Sequence, residues 1–330
     1  MIRIPHSSPS VGDEEVEAVS RVLRSGQIAQ GREVEALEAD CAAFVGRRFA
    51  VAVNSGTSAL HLALAALGAG PGKRVASPSY ACAALITAVQ MCRTEPVLCD
   101  VGTDGNLDCA AVPDSVDMVI VPHLFGAEAR FPHARCCIED IAQSIGGATG
   151  RAGVITIASF YVTKMLTTGE GGMLLTDDEG IAEFARDRRD YDHRDDFQPR
   201  HNYKMTDMQA AMGRVQLRRL PEFVARRRQI AERYSSGLAG LPVGLPGYGD
   251  RHVYFRYVIA TDRRDALEQH LREHGIEAKR PVHRPAHHVL GGTFPGADRC
   301  HREFLSLPIY PSLVDEQIDH VIEFTRGFFC

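Results

Sequence analysis

Three short segments hold side chains that could act together on one small molecule. Asn54-Ser-Gly-Thr-Ser-Ala-Leu60 lies between an apolar run and an Ala/Leu-rich stretch, the pattern of a strand leading into a helix. Gly56 lets the backbone come close to a ligand, while Thr57 and Ser58 bring hydroxyls and the free N–H groups of a helix start, which suit a phosphate. Taken alone, such residues more commonly make a plain turn. In Cys137-Ile-Glu-Asp-Ile-Ala-Gln143, Asp140 ends an apolar run. A carboxylate there is costly unless something meets it. It is either a cap for the turn Ala142–Gly146 or a partner for a pyridinium nitrogen. Lys164 follows Ser159-Phe-Tyr-Val-Thr and precedes the Gly-rich Leu166–Gly172. A lysine at a strand end is ordinarily solvated, but beside buried walls its pKa falls and its amine becomes a nucleophile toward an aldehyde. A phosphate cradle, an acid and an amine can surround one pyridoxal ring. The chemistry expected is that of pyridoxal 5'-phosphate (PLP), held by Lys164 as a Schiff base, with Asp140 keeping the ring nitrogen protonated.

The surrounding pattern supplies elements to position these groups. Helices are expected from Asp13 to Gly26 and over Val34–Phe44, then a strand at Phe49–Val53. Further strands are expected at Arg74–Ser77, Pro96–Cys99, Val116–Val121, Cys136–Glu139, Ile155–Val162 and Gly172–Leu175. Helices intervene at Tyr80–Met91 and Asp178–Arg188. Strands alternating with helices predict an α/β domain with a mostly parallel, mixed sheet flanked by helices, whose ligands sit where strand ends meet helix starts. Tyr191–Arg200 reads as a polar loop, followed by two helices, Thr206–Leu217 and Pro221–Leu238. Pro242–Tyr248 reads as a linker. A strand at Tyr254–Ile259, a helix at Arg264–His274, a Pro/His-rich loop and a last helix at Val314–Phe328 complete the chain. The expected division is a large domain over 1–240 and a smaller α+β domain over 241–330.

The totals narrow the function. A chain of 330 residues supports more than one small core. With 45% hydrophobic and 24% charged residues, wholesale disorder is excluded. A net charge of -5, with the basic clusters at Arg186–Arg189 and Arg226–Arg228 flanked by acids, argues against a nucleic-acid partner. No apolar run reaches membrane-spanning length. Nine scattered cysteines with no Cys-x-x-Cys pair, and a start at Met1–Ser10 without an apolar signal core, lead to the expectation of a reducing cytoplasm.

The chain resembles the sugar aminotransferases of the DegT/DnrJ/StrS type, PLP enzymes of the aspartate-aminotransferase fold (type I). The segments that carry the resemblance are Leu23-Arg-Ser-Gly26, Asn54–Leu60, Pro78–Ser79, Glu139–Gln143, Ser159–Lys164, Thr167–Gly172, Asn202–Thr206, Gln209–Gly213 with Gln216-Leu217, and Leu305–Pro308. The resemblance implies that Lys164 binds the cofactor and moves protons at the substrate carbon. It implies that Asp140 pairs with the pyridine nitrogen and that Gln143 sits near the ring's phenolic oxygen. Gly56, Thr57 and Ser159 would hold the phosphate, with Asn202 reaching it from a second subunit of a homodimer. The segment Gly26–Gly31 would face substrate near that subunit. The implied reaction moves an amino group from glutamate or glutamine to a keto-sugar, with a nucleotide-linked sugar as the expected acceptor.

Departures from the pattern sharpen these expectations. Where relatives place an aromatic over the ring, this chain has Cys82; Tyr80, two residues earlier, is the substitute to consider. The loop Ala278–His288 is shorter than usual and lacks a Tyr. Lys279, Arg280, His283 and Arg284 are read there as a basic loop for an anionic substrate, or as plain solvated charge. Its histidines are not read as a metal site, because no nearby Cys, Asp or Glu completes a ligand set. His123 either lines the pocket or packs, and Cys136-Cys137 reads as core. Competing readings are a keto-cyclitol aminotransferase, a PLP-dependent sugar dehydratase, which would carry histidine in place of Lys164, and a non-catalytic homologue.

Overall fold

Side-chain alternation along the strand β1 (Phe49–Val53) decides how the sheet is covered. Ala50 and Ala52 face one core, shared with the helices α2 (Arg32–Val45) and α6 (Asp207–Gly237). Val51 and Val53 face the other, shared with α3 (Gly56–Ala66), α4 (Ala84–Met91) and α5 (Glu179–Arg188). A computed structural model gives this arrangement and describes residues 3–133, 136–192, 194–247, 249 and 251–330. His193 of the polar stretch and Tyr248 of the linker lie outside the described residues.

Six further strands complete the sheet: β2 (Arg74–Pro78), β3 (Glu95–Cys99), β4 (Met118–Pro122), β5 (Cys137–Asp140), β6 (Ile155–Ser159) and β7 (Gly172–Thr176). Their order is β1-β7-β6-β5-β4-β2-β3, and β7 alone runs against its neighbours. The other strands all point the same way, so the C-terminal ends of β1, β4, β5 and β6 open onto one edge. Covered on both faces, these strands are nearly continuous apolar runs. This is the α/β architecture expected from the sequence.

A second sheet pairs β8 (Tyr257–Ala260) antiparallel with β9 (Phe304–Leu307). Its core takes in α7 (Arg264–Glu273), α10 (Asp315–Phe329), the last turns of α6 and, from the other end of the chain, Ile4. The remaining helices are α1 (Asp13–Ser25), α8 (His287–Leu290) and α9 (Pro295–Glu303). All nine cysteines are free. Among the described residues no helix is long and apolar enough to cross a membrane.

The structure corrects four expectations. The two helices expected around Pro221 are one helix of 31 residues. Pro221 lies exposed, so the amide it lacks is lost on the solvent side, while Leu217, Leu220 and Val224 bury the inner face on both sides of it. Strand β6 stops at Ser159 rather than Val162, which puts Lys164 in the loop and not beside a strand end. Helix α4 starts at Ala84, because Tyr80 and Ala81 are drawn into the core first. Finally, the Pro/His-rich loop contains α8 and α9 and leads into β9.

Candidate active site

The turn between β1 and α3 must cross the start of β7 to reach the end of β6, and two glycines allow it. Gly172 pairs with Val53 on one side and Ser159 on the other. A Cβ on Gly172 would lie 2.4 Å from the carbonyl carbon and oxygen of Ser55. A Cβ on Gly56 would lie 2.8 Å from the Cβ of Ser159. Glycine at both places brings the Ser159 hydroxyl against the first turn of α3. Ser55 caps that helix by accepting from the Ser58 amide. The amides of Gly56 and Thr57 donate to no protein acceptor among the described residues. Two free amides, a helix dipole and a hydroxyl together form an anion cradle.

Asp140 is the last residue of β5 and is buried. Its Oδ1 accepts from the Ala142 amide at 2.9 Å, so the capping role holds. The second oxygen remains for another partner, and Asp140 lines the same cavity as the cradle. Burial raises its pKa; the Ala142 amide, Lys164 and His123 act against that rise. Gln143 accepts from the Phe125 amide through Oε1 at 2.8 Å. That bond fixes the amide's orientation and leaves its NH2 as a donor.

Lys164 sits in the loop between β6 and β7, where its amide donates to the Tyr161 carbonyl at 2.8 Å. Its Nζ lies 5.2 Å from the centre of the Phe255 ring, and Arg256 covers the same ring at 4.5 Å. Burial lowers the Lys164 pKa; Asp140 and Cys82 oppose the shift and Arg256 adds to it. The chain has four lysines. Lys73 and Lys204 are held in ion pairs with Asp117 and with Asp190 and Asp192, which raise their pKa. Lys164 is shifted the opposite way, as a nucleophilic amine requires.

These groups meet in a cavity of about 370 Å³. Gly56, Thr57, Cys82, Asp140, Gln143, Ser159 and Lys164 all line it. Tyr80 does not. It is fully buried among Phe125, Phe304 and Val282, edge-on to both phenylalanines, so it covers no ligand in the cavity. Asn202 is exposed and outside the cavity, with its carbonyl accepting from Asn54 Nδ2 at 3.1 Å. His123 packs rather than lines. The Ala129 amide donates to its Nδ1, so Nε2 carries the proton toward Glu139 at 3.0 Å. For Glu139, burial alone would raise the pKa, but bonds from His123 and the Gly150 and Gly153 amides outweigh this and bring it to about 2. Lys279, Arg280, His283 and Arg284 do not line the cavity; Arg280 is paired with Asp265 at 3.0 Å. The cavity also takes in Tyr161, Thr163 and Glu170, which lie beside Lys164 in sequence, and Leu124 and Ile157, which carry no local signal.

An anion cradle, a buried acid and an amine lining one cavity are the kinds of group that the phosphate, ring nitrogen and aldehyde of PLP require. Comparison with known proteins gives the same answer. The model of the DegT/DnrJ/EryC1/StrS aminotransferase family matches residues 9–326. The chain belongs to this family. It is therefore a PLP-dependent aminotransferase. Among its relatives is the spore coat polysaccharide biosynthesis protein SpsC of Bacillus subtilis (strain 168), 33% identical over 98% of this chain and 96% of that protein. The crystal structure of S. venezuelae DesV superposes with a TM-score of 0.92 at 32% identity, over 99% of both chains. NtdA from Bacillus subtilis, solved with bound cofactor PMP, superposes with a TM-score of 0.88 at 25% identity, over 97% of this chain and 83% of that one.

Proposed function

We propose that this aminotransferase moves an amino group from glutamate or glutamine to a nucleotide-linked keto-sugar in amino-sugar biosynthesis. The observation that carries the reading is the meeting of Lys164, Asp140, Gln143 and the Gly56–Thr57 amides in one cavity. Family membership and the polysaccharide role named for SpsC support a sugar acceptor.

Bound PLP supplies an electron sink for charge developing at the substrate carbon. Asp140 holds a proton on the ring nitrogen, and its burial limits competition from water. Gln143 donates to the phenolic oxygen. Gly56, Thr57 and Ser159 hold the phosphate and so fix the ring in the cavity. Lys164 would take the proton from the donor carbon and return it at the cofactor carbon, which its depressed pKa suits. Cys82, which lines the cavity, would give the ring none of the stacking that an aromatic supplies. Asn202 is exposed and free to serve the phosphate of a second copy, in a homodimer with shared sites.

The test is a pair of half-reactions. The purified enzyme is converted to its amino form with glutamate or glutamine, then offered keto-sugars with and without a nucleotide. Return of the original spectrum with the nucleotide-linked sugars alone is expected. Return with a free keto-cyclitol, and not with sugar nucleotides, overturns the acceptor assignment.

A further inference from the structure

The loop after Ala278 folds back on itself in a way that local sequence does not announce. His287 and His288 open α8. The chain reverses through Gly291 and Gly292, and α9 then brings Asp298 over the two rings. Asp298 Oδ1 lies 3.0 Å from His287 Nε2 and 3.1 Å from His288 Nε2. The three possible ligand atoms all lie within 4.8 Å of one another.

We propose that His287, His288 and Asp298 form a binding site for a divalent transition metal of the zinc class. Bond lengths of about 2.0–2.2 Å at a tetrahedral ion place neighbouring ligand atoms roughly 3.3–3.6 Å apart. The two oxygen–nitrogen distances fall short of this by a few tenths of an ångström, a change that side-chain rotation supplies. Two imidazoles with one carboxylate favour zinc over magnesium or calcium, which take oxygen ligands. His301 is not the fourth ligand. It stands edge-on to His288 at 5.1 Å between ring centres, and its Nε2 is held by the His283 carbonyl at 3.2 Å. Asp298 and His288 reach the surface, so water fills the open position.

The protons also balance. Without metal, both Nε2 atoms donate to Asp298, and the Ser79 hydroxyl donates to His287 Nδ1 at 2.6 Å. With metal, each Nε2 becomes a ligand and its proton moves to Nδ1. The Ser79 hydroxyl then turns from donor to acceptor without leaving its place. Such an outer partner is what metal-bound histidines use to set their tautomer. Ser79 is also bonded through its carbonyl to the Ala286 amide at 2.8 Å, and it directly precedes Tyr80, Ala81 and Cys82. Ala81 and Cys82 line the catalytic cavity. The ion would brace that wall from outside and take no part in amino transfer.

The test is calorimetric titration of the chelator-treated holoenzyme with zinc sulfate. One zinc per chain is expected, with affinity lowered at least about tenfold in Asp298→Asn and in His288→Ala. His320→Ala, which alters a histidine outside the cluster, should bind as the parent does. Magnesium chloride should give no saturable heat. Circular dichroism and the cofactor spectrum check that both variants remain folded. No stoichiometric zinc on the parent chain, or zinc binding indifferent to both substitutions, overturns the proposal.

Discussion

Replacing Gly172 by alanine tests whether the crossing of β7 builds the phosphate cradle. Gly172 lines no part of the cavity, so any effect on cofactor must pass through Ser55 and Gly56. An added Cβ would lie 2.4 Å from the Ser55 carbonyl and 2.7 Å from the Gly56 nitrogen, whereas ordinary contact begins at 3.4 Å. These are backbone atoms, and β7 is held on both sides by β1 and β6, so neither partner yields through a side-chain rotation. The turn must therefore retreat by about 1 Å, a strain of about 1–3 kcal/mol. Retreat lengthens the bonds that the Gly56 and Thr57 amides would give to a phosphate. A charge-assisted hydrogen bond contributes about 1.5–3 kcal/mol, so cofactor affinity should fall roughly 10- to 100-fold. Absorbance titration of the apo-protein with PLP measures this directly. Gly70→Ala is the control, since nothing lies within 4 Å of a Cβ there. If Gly172→Ala binds PLP as tightly as the parent and melts at the same temperature, the close approach does not make the cradle.

Two further outcomes follow from the same geometry. Glu139 has its pKa brought from 4.5 to about 2, so its stabilisation is complete above pH 4.5 and is lost as pH falls toward 2. It is worth about 3 kcal/mol, and Glu139→Gln should flatten the pH dependence of the urea midpoint across that window; a variant curve parallel to the parent's contradicts the pairing described. Cys82 is exposed in the cavity, so bound PLP should slow its alkylation by iodoacetamide several-fold while leaving the exposed Cys330 unaffected, as read by peptide mass spectrometry. Equal rates with and without PLP would place Cys82 away from the cofactor.

The parts legible in the sequence are those whose cause is local. Val51 and Val53 alternate with Ala50 and Ala52, and that period of two announces a strand buried on both faces. Asp140 at the end of an apolar run marks a strand edge that can hold a ligand, and the Gly-rich Leu166–Gly172 marks the loop beside Lys164. What escaped reading depends on distant partners. The first amides of α9 are satisfied by Asp100, so no local cap announces that helix. Strand β9 exists because β8 lies beside it. Tyr80 looked available to cover a ring, yet Phe125 and Phe304 claim it for the core. Pro221 reads as the start of a second helix, but apolar burial on both sides joins the two into one. Asp298 was invisible as a companion of His287 and His288 because only the reversal at Gly291 brings it back.

Lys164 is the amine expected to hold PLP. Borohydride reduction of the PLP-loaded protein, followed by peptide mass spectrometry, tests it among four lysines. A pyridoxyl mass is expected on the Lys164 peptide, absent when glutamate or glutamine is added before reduction and absent in Lys164→Ala. A stoichiometric label on Lys73, Lys204 or Lys279, or no label at all, would contradict it.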